Sequence, residues 1–379
     1  MSNRWKGGFI QAFFDPLTED PGIMALYAWG GNTLGQLGLG DAINRSSPVQ
    51  VGALTDWSEI SISNHSAAVT NTGTLFTWGF NNAGSLGQND TGIHRSSPVQ
   101  VGALTTWLKV SAKGYHTGAI KTDGTLWAWG DNLYGDLGDG TVIQRSSPVQ
   151  IGSDTDWAEV SMGAGEAALA LKTDGSLWAW GRNEQGQLAQ NNTIYRSSPV
   201  QIGALTNWSK ISMGDNSALA VKTDGTVWAW GDNQAGRLGL NLTTAAKVSS
   251  PVQIGALTNW SDASTFLSTA LAVKTDGTLW AWGDGGSGQT GLNVADDNSS
   301  PIQIGSLTTW DKISCGRLHS SAIKTDGTLW VWGDAGLGRL GNNADQTVDV
   351  SSPIQIGSST SWSKVSAGNV GILATLEIS

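Results

Sequence analysis

Five aspartates recur in one setting, each between a threonine and a glycine: Asp123, Asp174, Asp224, Asp276 and Asp326. A carboxylate can act as a base or hold a cation. In a Thr-Asp-Gly turn, however, it bonds to nearby backbone amides, and that is the role read here. His65, His116 and His319 stand at related places, while the other repeats carry no histidine there. They can hydrogen-bond locally or belong to a contact surface. Asp296-Asp297-Asn298 and the stretch from Asp345 to Asp349 gather oxygen ligands of the kind calcium takes, but their spacing suits a single ion poorly. No Ser-His-Asp set, carboxylate pair or phosphate-cradling loop stands out. Gly-rich loops occur throughout, so no single one signals phosphate. The reading is of a non-enzymatic chain with no catalytic residues, no cofactor and no metal.

Composition narrows the partners. The chain carries a net charge of −10 with only 14% charged residues. Without a basic cluster it repels phosphate backbones, so nucleic acid is not an expected partner. Cys315 is the single cysteine, which excludes an intrachain disulfide. No apolar run approaches the ~20 residues that cross a bilayer, so membrane insertion is not expected. The first residues lack the pattern of a secretory signal.

Elements must position these groups, and here the pattern is strong. Ser-Ser-Pro recurs at Pro48, Pro98, Pro148, Pro199, Pro251, Pro301 and Pro353, at intervals of 50–52 residues. Trp-Gly recurs in step at Trp29, Trp78, Trp129, Trp180, Trp230, Trp282 and Trp332. A third series begins at Trp57 and ends at Trp362. With Trp127 and its four equivalents, these account for every tryptophan but Trp5. In Leu126-Trp127-Ala128-Trp129 the tryptophans share one strand face and the small residues the other. Both faces are expected to be buried between neighbours, so the tryptophans are read as packing residues.

Each repeat reads as four short strands: Pro-Val-Gln-Ile-Gly first, then Trp-x-x-Ile/Val-Ser, an Ala-rich strand, and Leu-Trp-Ala-Trp. A Thr-Asp-Gly hairpin joins the last two. Repeats of about 50 residues with four strands suit a β-propeller. The expected fold is all-β: a seven-bladed β-propeller of four-stranded antiparallel blades, closed by pairing of the N-terminal strand (24–29) with the C-terminal strands. Residues 1–23 read as an N-terminal leader or attachment segment, and residues 24–379 as the propeller.

Gly-Asp-Asn-x-x-Gly-x-Leu-Gly at 231–239, Cys315-Gly316-Arg317-Leu318-His319 and Gly35-Gln36-Leu37-Gly38 resemble the regulator-of-chromosome-condensation repeat. The resemblance covers residues 24–379 and implies a seven-bladed propeller. Its functions diverge: guanine-nucleotide exchange with chromatin binding, ultraviolet-B sensing, and β-lactamase inhibition all use this scaffold. The exchange role implies an inserted wedge, which the uniform repeat lengths do not show. The photoreceptor role implies Gly-Trp-Arg-His-Thr motifs; the nearest match, Gly114-Tyr115-His116-Thr117, lacks the Trp and Arg.

The strand order predicts two unlike faces. Gly-Ala-Leu-Thr and Thr-Asp-Gly turns repeat on one. The connections on the other diverge, as in Asp41-Ala-Ile-Asn and Gln190-Asn-Asn-Thr-Ile-Tyr. Drift and specialised recognition both account for that divergence. The candidate partner-binding residues are Phe9, Phe13 and Phe14 in the leader, and Tyr115, His116, Tyr134, Tyr195, Arg317 and His319 in the propeller; His94 is a further aromatic group to test. The leader also resembles, over fewer than 25 residues, those of tailed-phage structural proteins. The leading expectation is therefore a structural or adhesive virion component, attached to another subunit through residues 1–23 and displaying the propeller to a host-surface glycan or protein. The alternative is a cytoplasmic regulator that grips one protein partner, a small GTPase or an enzyme it inhibits, through the variable face.

Overall fold

The computed structural model describes residues 22–243, 246–344 and 347–378. The described residues form seven four-stranded sheets, one per repeat. In the first complete blade the strands are Trp57–Ile62, His65–Thr70, Leu75–Gly79 and Arg95–Gln100. Every pairing in the sheets is antiparallel, for example Trp78 opposite Ser66 and Phe76 opposite Gln100.

The Trp-x-x-Ile-Ser strands are innermost. Each packs beside the same strand of the next blade through one contact type: a serine hydroxyl oxygen accepts the neighbour's backbone N–H. The pairs are Ser61–Ala112, Ser111–Met162, Ser161–Met213, Ser212–Thr265, Ser264–Cys315, Ser314–Ala367 and Ser366–Ile62, at 2.8–3.3 Å. The series closes on itself around a central axis. A bulge just after each tryptophan, as between Trp157 and Glu159, re-aims the strand. The tryptophan turns between blades and the charged residue two places on turns to the axis.

One strand assignment is corrected. The Ser-Ser-Pro-Val-Gln strand, expected to open each blade, is the outer strand of the blade before it: Trp178 faces Gln201 and Gly181 faces Arg196. Proline donates no backbone hydrogen bond, so it is tolerated on an edge strand, and this strand is the edge. Closure is as expected. Met24–Gly30 pairs residue for residue with Gly371–Glu377. The seventh blade then takes its inner two strands from the C-terminal end and its outer two, through Arg45–Gln50, from the N-terminal end.

The repeated decapeptide is a packing device. Trp129 is fully buried and donates its indole N–H to the Ser85 carbonyl of the preceding blade at 2.9 Å. Its six equivalents do the same, down to Trp29 with Arg339. The closing glycine of the preceding blade's Gly-x-Leu-Gly motif lies against that indole: a Cβ on Gly87 would sit 2.8 Å from Trp129 Nε1, and its φ is +66°. Trp127 differs from expectation in being only half-buried. The Lys121 ammonium covers it, 3.5 Å from the ring centroid, and its N–H bonds to Thr125 Oγ1 at 2.9 Å.

Candidate protein-binding face

The short connections settle the roles of several candidates. Asp123 Oδ1 accepts both the backbone N–H and the hydroxyl of Thr125, at 3.0 and 2.6 Å, and these bonds hold its carboxyl below the usual range. The same arrangement recurs at Asp224, Asp276 and Asp326, as expected of turn residues. Asp297 and Asp349 accept backbone amides of Gly285 and Ala335. Among the described residues no group of three or more His, Cys, Asp or Glu could hold a metal ion; Asp345 lies outside them.

Thr-Asp-Gly turns meet the ends of the Gly-Ala-Leu-Thr turns on one side, the turn face, as in Trp208 N–H to Gly175 O at 3.1 Å. The opposite side, the loop face, carries the connection from inner to second strand and the longer one from third to outer strand. Buried asparagines shape the longer loops. Asn132 Oδ1 accepts the Leu137 amide at 2.9 Å, and its amide group donates to Ile143 O at 3.0 Å. That frame lifts an aliphatic residue into solvent at each tip: Ile43, Ile93, Ile143 and Ile194 are all exposed.

Two aromatic groups occupy this face. Phe80 stacks on His94 at 5.2 Å between centroids and meets Tyr115 at 5.2 Å. Next to it, Tyr134 and Tyr195 pack edge to face at 5.3 Å. The Arg182 guanidinium lies 5.0 Å from the Tyr134 centroid and pairs with Glu166 at 3.2 Å and Glu184 at 2.7 Å. The Tyr195 hydroxyl donates to the Glu184 carboxylate, which holds Glu184 below and Tyr195 above their ordinary values. Tyr115 is 41% exposed and Tyr195 37%. Exposed tyrosines held by ring contacts and an arginine are of the type that anchors protein interfaces.

Below this surface lies Asp136, fully buried. Burial raises its carboxyl to about 8, opposed by the bond from the Tyr134 amide and reinforced by Glu166. Arg317 is exposed, bonding Asn369 at 3.5 Å. His116 and His319 are a correction: both are fully buried, so neither belongs to the contact surface. Burial depresses their imidazoles to about 4 and about 3, with Arg339 adding to the effect at His319. His65 is buried too and bonds Thr117 Oγ1 at 2.7 Å. Phe9, Phe13 and Phe14 lie outside the described residues.

Phe80, Arg182, Glu166 and Glu184 were not picked out from the sequence. Their signal was there: Phe80 stands where other repeats carry Asp131, Asp232 or Asp334 after Trp-Gly.

Residues 24–269 match the RCC1-like domain model. Residues 276–323 and 326–374 match the regulator of chromosome condensation (RCC1) repeat. The chain belongs to the RCC1-like family. A 73-residue stretch is 44% identical to the X-linked retinitis pigmentosa GTPase regulator of Canis lupus familiaris, covering 18% of this chain but only 7% of that protein. Two solved structures share the fold. Human WBSCR16 superposes with a TM-score of 0.82 at 18% identity, covering 93% of this chain and 99% of its own. Prp20p from Saccharomyces cerevisiae, described with its binding to Gsp1p and histones, gives a TM-score of 0.82 at 19% identity, covering 94% and 92%.

These findings overturn the expectation of a virion structural or adhesive protein displaying its propeller to a host surface. The similarity runs through the whole propeller to RCC1-type proteins, and one relative is itself named a GTPase regulator. No helix among the described residues is long and apolar enough to cross a membrane.

Proposed function

We propose that this RCC1-like propeller is a non-catalytic regulator that binds one protein partner through its loop face, and that the partner is a small GTPase. The observation that carries the reading is the aromatic arc over the first three blades: Phe80, His94 and Tyr115 beside Tyr134, Tyr195 and Arg182, raised on one face of an RCC1-like scaffold. Partly buried ring contacts fix these side chains before a partner arrives, which lowers the entropy lost on binding. Arg182 and its carboxylates supply polar groups at the rim of an apolar patch, the arrangement interfaces favour. The GTPase class comes from the GTPase-regulator relative and from Prp20p, studied with Gsp1p.

The test is release of a fluorescent guanine nucleotide from a panel of purified small GTPases, with and without the full chain. The reading requires that one of them responds, and that Tyr195→Ala reduces the response while the propeller stays folded. Release unchanged across the panel would reject the GTPase. A response that survives loss of the tyrosines would reject the face.

A further inference from the structure

The inner strands place one charged side chain each on the axis, at the turn-face end. Going round the ring these are Glu59, Lys109, Glu159, Lys210, Asp262, Lys312 and Lys364. Opposite charges alternate from Glu59 to Lys312. Glu59 is shared by two neighbours, pairing with Lys109 at 3.0 Å and with Lys364 at 2.8 Å. Burial raises the carboxyls of Glu159, to about 7, and of Asp262, and the Lys210 ammonium between them opposes that rise in part.

Seven is odd, so alternation cannot close. At one junction like charges must meet, and here they are Lys312 and Lys364. The ring therefore carries four ammonium groups against three carboxylates, and the surplus sits between the sixth and seventh blades. Asp311 lines the same mouth and pairs with Lys312 at 2.9 Å, but both side chains are about half exposed. Such a pair is weak and readily exchanged.

Lys109, Lys210, Lys312 and Lys364, against Glu59, Asp262 and Asp311, line a cavity of about 470 Å³, a size suited to a small ligand. Further along the axis Lys113 spans the channel. Its ammonium donates to Met213 O at 2.8 Å, two blades away, and lies 5.4 Å from the Phe266 ring of the fifth blade. The turn-face mouth thus leads to an obstructed channel.

We propose that this axial mouth is a binding site for a small organic or inorganic oxyanion, centred on Lys312 and Lys364, where the odd blade count places lysines on two adjacent inner strands of one cavity. Carboxylate and phosphate share the needed chemistry: compact negative oxygen that takes several N–H donors at once. The site is at the opposite end of the axis from the loop face, so it stands or falls separately from the GTPase reading.

The experiment is titration calorimetry of the full chain at low ionic strength with citrate in one arm and pyrophosphate in the other. Expected is one saturable site, weakened by added salt, with Lys312→Gln and Lys364→Gln each weakening it about tenfold. Preference for citrate or for pyrophosphate identifies the oxyanion. Lys312 is exposed, so its variant folds and remains informative if Lys364→Gln, which also removes one of the two partners of Glu59, loosens closure. Absence of saturable binding to both probes overturns the proposal, as does binding that Lys312→Gln leaves unchanged.

Discussion

Ser366 and Ile62 join the two ends of the ring: the serine hydroxyl oxygen of the last inner strand accepts the backbone N–H of the first, at 3.3 Å. The other six serine contacts repeat this bond inside the chain. Replacing a buried acceptor strands the donor facing it, at about 1–3 kcal/mol. Ser161→Ala, which strands the Met213 amide now bonded at 2.9 Å, is expected to destabilise by that amount in urea titration. Ser366→Ala, with its longer bond, is expected to lose less.

The two tryptophans of each decapeptide have unequal roles. Trp129 is buried and bonded to the preceding blade; Trp127 is half-buried under Lys121. Trp129→Ala is expected to cost about 3–5 kcal/mol, the range for truncating a core aromatic. Trp127→Ala should cost clearly less. Chemical denaturation of both variants decides it, and equal losses would contradict the difference in packing.

One blade breaks its own rule. Where six repeats place glycine against the next indole, the third blade carries Ala189 at φ 56°. A left-handed alanine is strained by roughly 1–2 kcal/mol. Ala189→Gly recovers part of that and gives up some through unfolded-chain entropy. A net rise in midpoint is expected in thermal unfolding. A clear fall would mean that the alanine methyl contributes more to packing than its backbone strain costs.

Much of the fold is legible in the sequence, because tryptophans and Ser-Ser-Pro recurring in step fix blade number and closure. The phase of the blade was not. A tandem repeat can be cut anywhere, and only the edge preference of Pro48 and its equivalents points to the right cut. The site was half legible. Tyr115, Tyr134 and Tyr195 could be singled out as aromatic departures in variable loops. Arg182 joins them only because connections from neighbouring blades converge in space. His116 and His319 misled because an isolated polar residue reads as exposed, whereas theirs is the first position of a buried strand.

Asp136 supplies a pH test. In three other blades a glutamine fills its place, as where Gln187 Oε1 accepts the Gln185 amide at 2.9 Å. Asp136 has a folded pKa raised from 3.8 to about 8 by burial. A raised carboxyl binds its proton more tightly when folded, so its contribution is fully present below pH 4 and is lost as pH rises towards 8. Asp136→Gln removes that loss. Its stability relative to the parent chain should grow from pH 4 to pH 8 and then level off. A difference independent of pH would show that the buried carboxyl does not retain its proton.

The most direct measurement is nucleotide release from purified small GTPases with the full chain, comparing the parent protein with Tyr195→Ala and with Lys312→Gln. The account predicts that one GTPase responds, that Tyr195→Ala weakens the response about tenfold or more as loss of an interface anchor does, and that Lys312→Gln, at the other end of the axis, leaves it unchanged. A panel without response, or a response lost in Lys312→Gln and kept in Tyr195→Ala, would contradict the loop face as the working surface.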